Sequence, residues 1–260
     1  MIVSIARRAL LALGLPAVLV TLWWVATANS TSFFWPPLPE ILGTFGETWF
    51  SGRLAADVLP SLLRLLAGYL IALALGVGLG TAIGSSATLR AVVEPVLEFF
   101  RAIPPPVLVP ILILFAGIGD WMKVLVIVSG CIWPILLNTV EGVRGIDEVL
   151  RDTARCYRMR RSSRLVHLVL RGASPQIAAG ARQALSIGII LMVISEMFAA
   201  SNGVGFTVIQ FQRSFAIPQM WSGIILLGLI GITLALLLRL VEYRALAWYR
   251  GLHESQRGKG

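Results

Sequence analysis

The stretch LPSLLRLLAGYLIALALGVGLGTAIGSS, residues 59–86, carries one charged side chain, Arg64, in 28 residues. A run of that kind has one stable home. The hydrocarbon of a bilayer is crossed by roughly 20 apolar residues in a helix, and lipid offers no partner for a backbone left unpaired. Six such runs lie near residues 8–28, 61–84, 95–117, 122–141, 176–200 and 219–240. With 57% hydrophobic residues and a mean hydropathy of +0.83, the chain holds more apolar side chains than a soluble core of this size absorbs. The expected fold is therefore all-α and polytopic, with six transmembrane helices. Arg182 and Glu196 interrupt the fifth run, which turns one face toward protein or water.

Arg7 and Arg8 precede the first run, and Ala26-Thr27-Ala28 after it resembles a signal-peptide cleavage site. The run is longer than a signal core and further spans follow, so an uncleaved first helix is expected. Residues 1–57 then form the first span and an outer interfacial segment. Residues 58–245 form the membrane core, with a loop at 142–175, and residues 246–260 a basic tail.

The formal charge of +9 and pI near 10.7 suggest nucleic acid in a soluble protein. In a membrane protein they report topology, because Lys and Arg collect in cytoplasmic loops. Arg7 and Arg8 place the N-terminus inside, and six crossings return Arg239, Arg244, Arg250, Arg257 and Lys259 to the same side. Five crossings would send outside either that cluster or the basic window at 150–175. Both termini are expected in the cytoplasm, and no nucleic-acid partner is expected. Cys131 falls in an apolar run and Cys156 in the basic window, so both are read as free thiols.

Local signals refine the spans. Trp35-Pro36-Pro37 and Pro39 stop the first helix and suit an interfacial aromatic belt. The apolar spacing from Leu38 to Phe50 fits either a short interfacial helix or a plain loop. Pro104, Pro105, Pro106 and Pro110 enter the third run, so that span is kinked or begins after Pro106. Gly68, Gly76, Gly78, Gly80 and Gly84 punctuate the second run, where small residues let helices approach closely.

The window LRDTARCYRMRRSSRLVHLVLRGASP, residues 150–175, holds seven arginines and one acidic residue, Asp152. Ile146, Val149, Leu150, Thr153, Ala154 and Tyr157 form a helical stripe, with Arg151, Arg155 and Arg158 on the other side. After Ser162-Ser163, Leu165, Leu168 and Val169 begin a second amphipathic run that leads to Pro175. Two short cytoplasmic helices joined by a turn are expected. Anionic lipid attracts arginines placed beside a membrane, but that attraction leaves the apolar stripe unexplained.

Residues 152–175 resemble the EAA loop of permease subunits of ATP-binding cassette importers. Asp152-Thr153-Ala154 holds the E-A-A place, Arg155, Cys156 and Tyr157 continue it, and Leu170 stands for the Leu of a later L-P. FFRAIPPPVLVPILILFAGIGDWMK, WPILLNTVEGVR and ISEMFAASNGVGFTVI are similar to the nitrate, sulfonate and taurine branch of these permeases, in the same order along the chain. The resemblance implies a type I importer permease in the inner membrane, with a coupling helix between spans four and five. It implies two ATPase subunits that bind ATP and Mg, a second permease, identical or not, and a solute-binding protein that delivers a small anion. In that picture residues 152–158 dock in a groove of the ATPase, with Ala154 allowing close approach. Arg158 stands in place of the family's turn glycine, so the loop is expected to straighten or to gain a charge contact. Arg171 replaces the family's proline. The two departures from the family pattern would fit a chain that is the degenerate half of a heterodimer.

Glu196 is an ionisable group near the outer end of its span, a candidate for the outer gate or for a structural hydrogen bond. Arg64, Met192 and Met197 are candidates for the translocation pathway. Arg64, Arg101 and Arg182 have an anionic solute or Glu94, Glu98 and Glu196 as possible partners, and Arg101 and Arg182 are also placed to snorkel to the interface. An intramembrane enzyme is disfavoured: His167 and His253 lie outside the runs, and H-E-x-x-H, G-x-S-x-G and paired intramembrane aspartates are all missing. The chain also lacks G-x-x-x-x-G-K-[ST], so it is expected to hold neither ATP, metal nor other cofactor itself. A stand-alone secondary transporter or channel is the alternative.

Overall fold

In a computed structural model the chain is described over residues 2–198 and 200–249, with the side chains of residues 2–13 left aside. The side chains of Arg7 and Arg8, and the tail residues Arg250, Arg257 and Lys259, lie outside these described positions. Every regular element among the described residues is helical.

The first helix, α1 (Ile2–Thr27), is followed by α2 (Leu38–Trp49). A π-helical turn at Leu54–Val58 runs straight into α3 (Leu59–Ser85). Then come α4 (Ala87–Arg101), a 3-10 turn at Pro105–Leu108, and α5 (Val109–Ala116). Next are α6 (Asp120–Arg144), α7 (Glu148–Cys156) and α8 (Arg161–Arg164), the last continuing through a π-helical turn, Leu165–Leu170, into α9 (Arg171–Phe198). A short α10 (Val204–Arg213) and a long α11 (Ile217–Ala245) complete the order.

Among the described residues, four helical segments are long and apolar enough to cross a bilayer: Leu54–Ser85, Asp120–Arg144, Arg161–Phe198 and Ile217–Ala245. The third expected span differs from a straight crossing. Its two pieces, Ala87–Arg101 and Pro105–Ala116, meet at 81°. Pro104, Pro105 and Pro106 supply no N–H, so the ladder cannot continue through them. The eight-residue α5 reaches only about 12 Å alone. Six crossings therefore require this bent pair together with α1, whose described apolar part is Gly14–Thr27.

The core is built on α3, α6 and α9. A Cβ at Gly68, Gly76, Gly80 or Gly84 would stand 2.7–2.8 Å from a side-chain atom of Ile127, Ile135, Thr139 or Val143 in turn. Residue numbers rise together on both helices, so α3 and α6 run parallel with their backbones in close approach, the reward for small residues in a membrane interface. Gly130, Gly180 and Gly188 do the same where α9 returns antiparallel to α6. Leu65, Ile127, Ile135, Ala184 and Met192 fill the seam. Tyr69 Oη and Cys131 Sγ donate across it to the carbonyls of Ala181 (2.9 Å) and Ala184 (3.2 Å). Gly78 differs from its neighbours: nothing lies within 4 Å of where its Cβ would stand.

The segment 38–49 is a helix, but not a loose interfacial one. Trp49 is fully buried, and its indole N–H donates to Ser222 Oγ at 3.0 Å, clamping α2 onto α11. Near that end Trp221 contacts Trp23 (5.7 Å) and Trp35 (5.3 Å), an aromatic cluster of the kind found at membrane interfaces.

A side chain larger than hydrogen at Gly76 must push Ile135 or the backbone of α6 aside, whereas a methyl at Gly78 enters open space. Gly76→Val is expected to lower the melting midpoint in detergent by several degrees through overpacking, and Gly78→Ala to leave it within about 1 °C. Fluorescence-detected size-exclusion thermal profiles check both.

Candidate functional site

Where α3 and α6 begin and α9 ends, their charged residues meet. Glu196 is completely buried. Its Oε1 accepts from Arg64 Nη1 at 2.9 Å and from Ser61 Oγ at 2.7 Å, and its Oε2 accepts from the Gly205 N–H at 3.0 Å. Arg64, 5% exposed, spends its remaining donors on Asp120 Oδ1 (2.7 Å) and on Asn202, through both the side-chain oxygen (2.5 Å) and the carbonyl (3.2 Å). Lys123, almost equally buried, lies 3.4 Å from Asp120.

The same cluster caps α10. Its first amides have no partner within the helix, and side chains from elsewhere supply them. Asp57 Oδ1 accepts from Gly203 (3.2 Å), Ser61 Oγ from Val204 (3.0 Å) and Glu196 from Gly205. Asn202-Gly203-Val204-Gly205 is thus fixed by contact. Gly203 has φ +120°, and a Cβ there would fall 2.5 Å from the Glu196 carboxyl carbon. A Cβ at Gly205 would fall 2.6 Å from the Val193 carbonyl oxygen.

Beside this network opens a cavity of about 550 Å³, lined by Arg64, Asp120, Lys123, Met197, Asn202 and Arg213 among others. Arg64 and Lys123 on this wall are already paired with Glu196 and Asp120, and Arg213 is the cation there without an ion pair among the described residues.

At the opposite end, α7 projects from the bundle. Asp147 caps it, its Oδ1 accepting from the Val149 N–H at 2.8 Å. It closes with paired bonds, Met159 N–H to the Ala154 carbonyl (3.1 Å) and Arg158 N–H to the Arg155 carbonyl (2.9 Å). That is a Schellman closure, whose next residue must take a left-handed conformation. Arg158 takes it, with φ +49°. The expectation that an arginine here straightens the loop is therefore overturned: the turn is kept at a steric cost, and among the described residues the guanidinium makes no ion pair. Arg171 continues its helix without the proline and lies over the Trp248 ring at 5.4 Å.

The helix also presents a different face from the one expected for docking. Ala154 is buried against the protein, and Arg151 turns in to donate to the Val143 carbonyl. Val149, Leu150 and Tyr157 are 70%, 54% and 81% exposed. Around them lie Thr153, Cys156 and the ion pair of Asp152 with Arg155 (3.0 Å), all exposed. No separate second helix follows the turn. Arg161 begins a helical segment that runs unbroken to Phe198, and Pro175 lies inside it.

Residues 72–246 match the family model of the binding-protein-dependent transport system inner membrane component. The chain belongs to this family. It is a multi-pass permease subunit. The taurine transport system permease protein TauC of Escherichia coli (strain K12) is 31% identical over 252 residues, 94% of this chain and 92% of that one. The putative aliphatic sulfonates transport permease protein SsuC of Bacillus subtilis (strain 168) is 29% identical over 238 residues, 90% and 86% of the two chains. An inward-facing structure of the MetNI methionine ABC transporter aligns with a TM-score of 0.61 at 19% identity, over 77% of this chain and 96% of that one. That likeness carries the fold.

Within this permease, the predicted positions Arg64 and Glu196 come together as a pair, and Arg64 and Met197 share the cavity. Met192 is buried in the helix seam, away from it. Arg101 pairs with Glu98 (2.6 Å), and Arg182 makes a two-toothed contact with Glu242 (2.7 and 3.3 Å) that ties α9 to α11. Asp57, Ser61, Asp120, Lys123 and Asn202 were missed in the sequence. The signal that finds them is their need for partners: Asp120 and Lys123 stand one helical turn apart at the start of a span, facing the lone Arg64.

Two substitutions act on these turns in opposite directions. Gly203→Ala introduces strain of about 1–3 kcal/mol and displaces the Glu196 carboxylate, so the melting midpoint is expected to fall by about 5–10 °C. Arg158→Gly removes a left-handed penalty of roughly 1 kcal/mol, and a rise of about 2–4 °C is expected.

Proposed function

We propose that this permease forms, with a second permease, the pathway of an ATP-driven importer for a small anion, and that α7 is its contact with the ATPase. The observation that carries the proposal is the outward row Val149, Leu150 and Tyr157 on a helix otherwise covered with charge. Exposed apolar side chains of this size, ringed by polar ones, are the signature of a protein contact. In the membrane plane α7 stands at the end where α3, α6 and α11 finish, beside the arginines of 151–164. The bias of Lys and Arg toward the cytoplasm then sets that end, and both termini, inside.

In this arrangement two ATPase subunits bind ATP with Mg and close against two copies of α7 or its counterpart. The push enters through the Schellman turn and the continuous helix Arg161–Phe198, which reaches Glu196 at the far end without a break. A rigid element spanning both ends converts closure below into movement above. The solute-binding protein delivers to the outer face, where Arg64, Lys123 and Arg213 line the cavity. The names of TauC and SsuC support a sulfonate-type anion, and Arg213 on the cavity wall supports the same charge. Arg158 keeps the turn, which favours a working coupling helix in this copy whether or not the partner permease is identical.

Tyr157→Glu and Val149→Asp place carboxylates in the proposed contact without touching the membrane core. Each is expected to weaken recovery of the ATPase with the tagged permease at least about 30-fold, as for an interface hot spot, with the melting midpoint of the permease unchanged. Quantitative mass spectrometry of the co-purified subunits measures this. Full ATPase recovery in both variants would remove α7 from the contact.

A further inference from the structure

The arginines of the basic window converge on a pocket that the docking face of α7 does not use. Arg151, Arg155, Arg161 and Arg164 surround a space of about 190 Å³ whose floor includes Leu165 and Leu168. None of its lining residues is acidic. Arg155 is balanced by Asp152 on the solvent side. Arg151 meets only the Val143 carbonyl, and Arg161 and Arg164 have no side-chain partner among the described residues. Three guanidinium charges are left facing one another. Such a pocket is stable only with an anion in it or in water at high dielectric.

A second observation points to the kind of anion. Ser85 and Leu165 also belong to the wall of a neighbouring groove of about 850 Å³ that descends the exposed side of α3. Leu73, Val77, Gly78 and Thr81 line it from α3, and Leu170 and Ile177 from the facing helix. From Leu70 to Ser85 it spans about 22 Å of helix, more than the roughly 15 Å depth of one leaflet's hydrocarbon. Gly78 keeps it open, being the glycine of α3 that meets no helix. A soluble phosphate has no use for such a groove, and an acidic protein loop would leave its backbone unpaired there. One molecule satisfies both halves.

We propose that this pocket and groove hold an anionic phospholipid, its phosphate among Arg151, Arg161 and Arg164 and one acyl chain along α3 past Gly78. Basic pockets between membrane helices on the cytoplasmic side are suited to such headgroups. The site lies between the root of α7 and the helix Arg161–Phe198, so an occupied pocket braces the loop by a contact distinct from the ATPase face.

The test is native mass spectrometry of the full-length chain, purified in mild detergent with whatever subunits accompany it. It is stripped of lipid and titrated with phosphatidylglycerol or phosphatidylcholine. The parent is expected to retain phosphatidylglycerol preferentially. Arg161→Gln with Arg164→Gln removes two charges and should lower that retention about 30-fold. Gly78→Phe fills the groove and should lower it comparably with every arginine in place. Arg160→Gln, a neighbouring arginine outside the pocket wall, should leave it unchanged. A melting rise on adding phosphatidylglycerol, absent in the double variant, supports the site independently of any one variant's yield. Equal retention of both lipids would overturn it. Loss in the arginine variant but not in Gly78→Phe would reassign the pocket to a headgroup or free phosphate alone. Loss of ATPase with lipid retention intact would reassign it to protein. None of these readouts requires transport, so the importer proposal can fail while this one stands.

Discussion

Glu196 is the constraint on which the placement of the helices depends. A carboxylate with no exposed surface costs several kcal/mol to desolvate unless every oxygen is matched. No single neighbour supplies the match. Arg64 and Ser61 come from α3, Gly205 from the start of α10, and Arg64 is itself oriented by Asp120 of α6 and by Asn202. Satisfying one side chain therefore fixes the ends of α3, α6 and α9 and the entry of α10. The glycine contacts of α3 with α6 set how close the helices lie, and the charged cluster sets their register at one end.

The two ends of the bundle are built on opposite electrostatic terms. Around Glu196, Arg64 and Lys123 face Asp120 and Glu196 in a chain of ion pairs, with the separate pair of Arg53 and Asp57 beside them. Such a balanced, hydrogen-bonded cluster resists rearrangement. At the other end the arginines outnumber their partners and α7 shows apolar side chains to solvent. That end is unfinished without other molecules. A transporter driven from one side needs this division between a firm connection and a surface that accepts a partner, with helices rigid enough to join them.

Much of this was legible in the chain, in proportion to how local the physics is. The apolar runs identify the helices because each satisfies its own backbone, and Pro104 to Pro106 mark the break in the third span. The 81° bend is not legible, since it depends on what the two pieces pack against. The helix at 38–49 follows from local spacing, yet its clamp does not, because Trp49 and Ser222 are 173 residues apart. Glu196 and Arg64 stand out as charges at membrane depth. Asp57, Asp120 and Asn202 sit at helix ends, where polar residues are ordinary. In α7 the period was legible and the face was not: apolar side chains usually turn inward, but Ala154 and Arg151 already fill that side. The second amphipathic run resembles a helix of its own because Pro175 resembles a boundary, yet the helix that begins at Arg161 passes through a π-helical turn and continues with Pro175 inside it.

The most direct test of this account is a double-mutant cycle on Arg64→Met and Glu196→Gln, read as melting midpoints of the detergent-solubilised permease. If the pair orders the helix ends, each single variant strands a buried polar group and melts far below the parent. The double variant should then lie well above the sum of the two losses, by about 4 °C or more for a coupling near 2 kcal/mol. Strictly additive losses would show that the two side chains act separately, and the bundle would owe its order to the glycine seam alone.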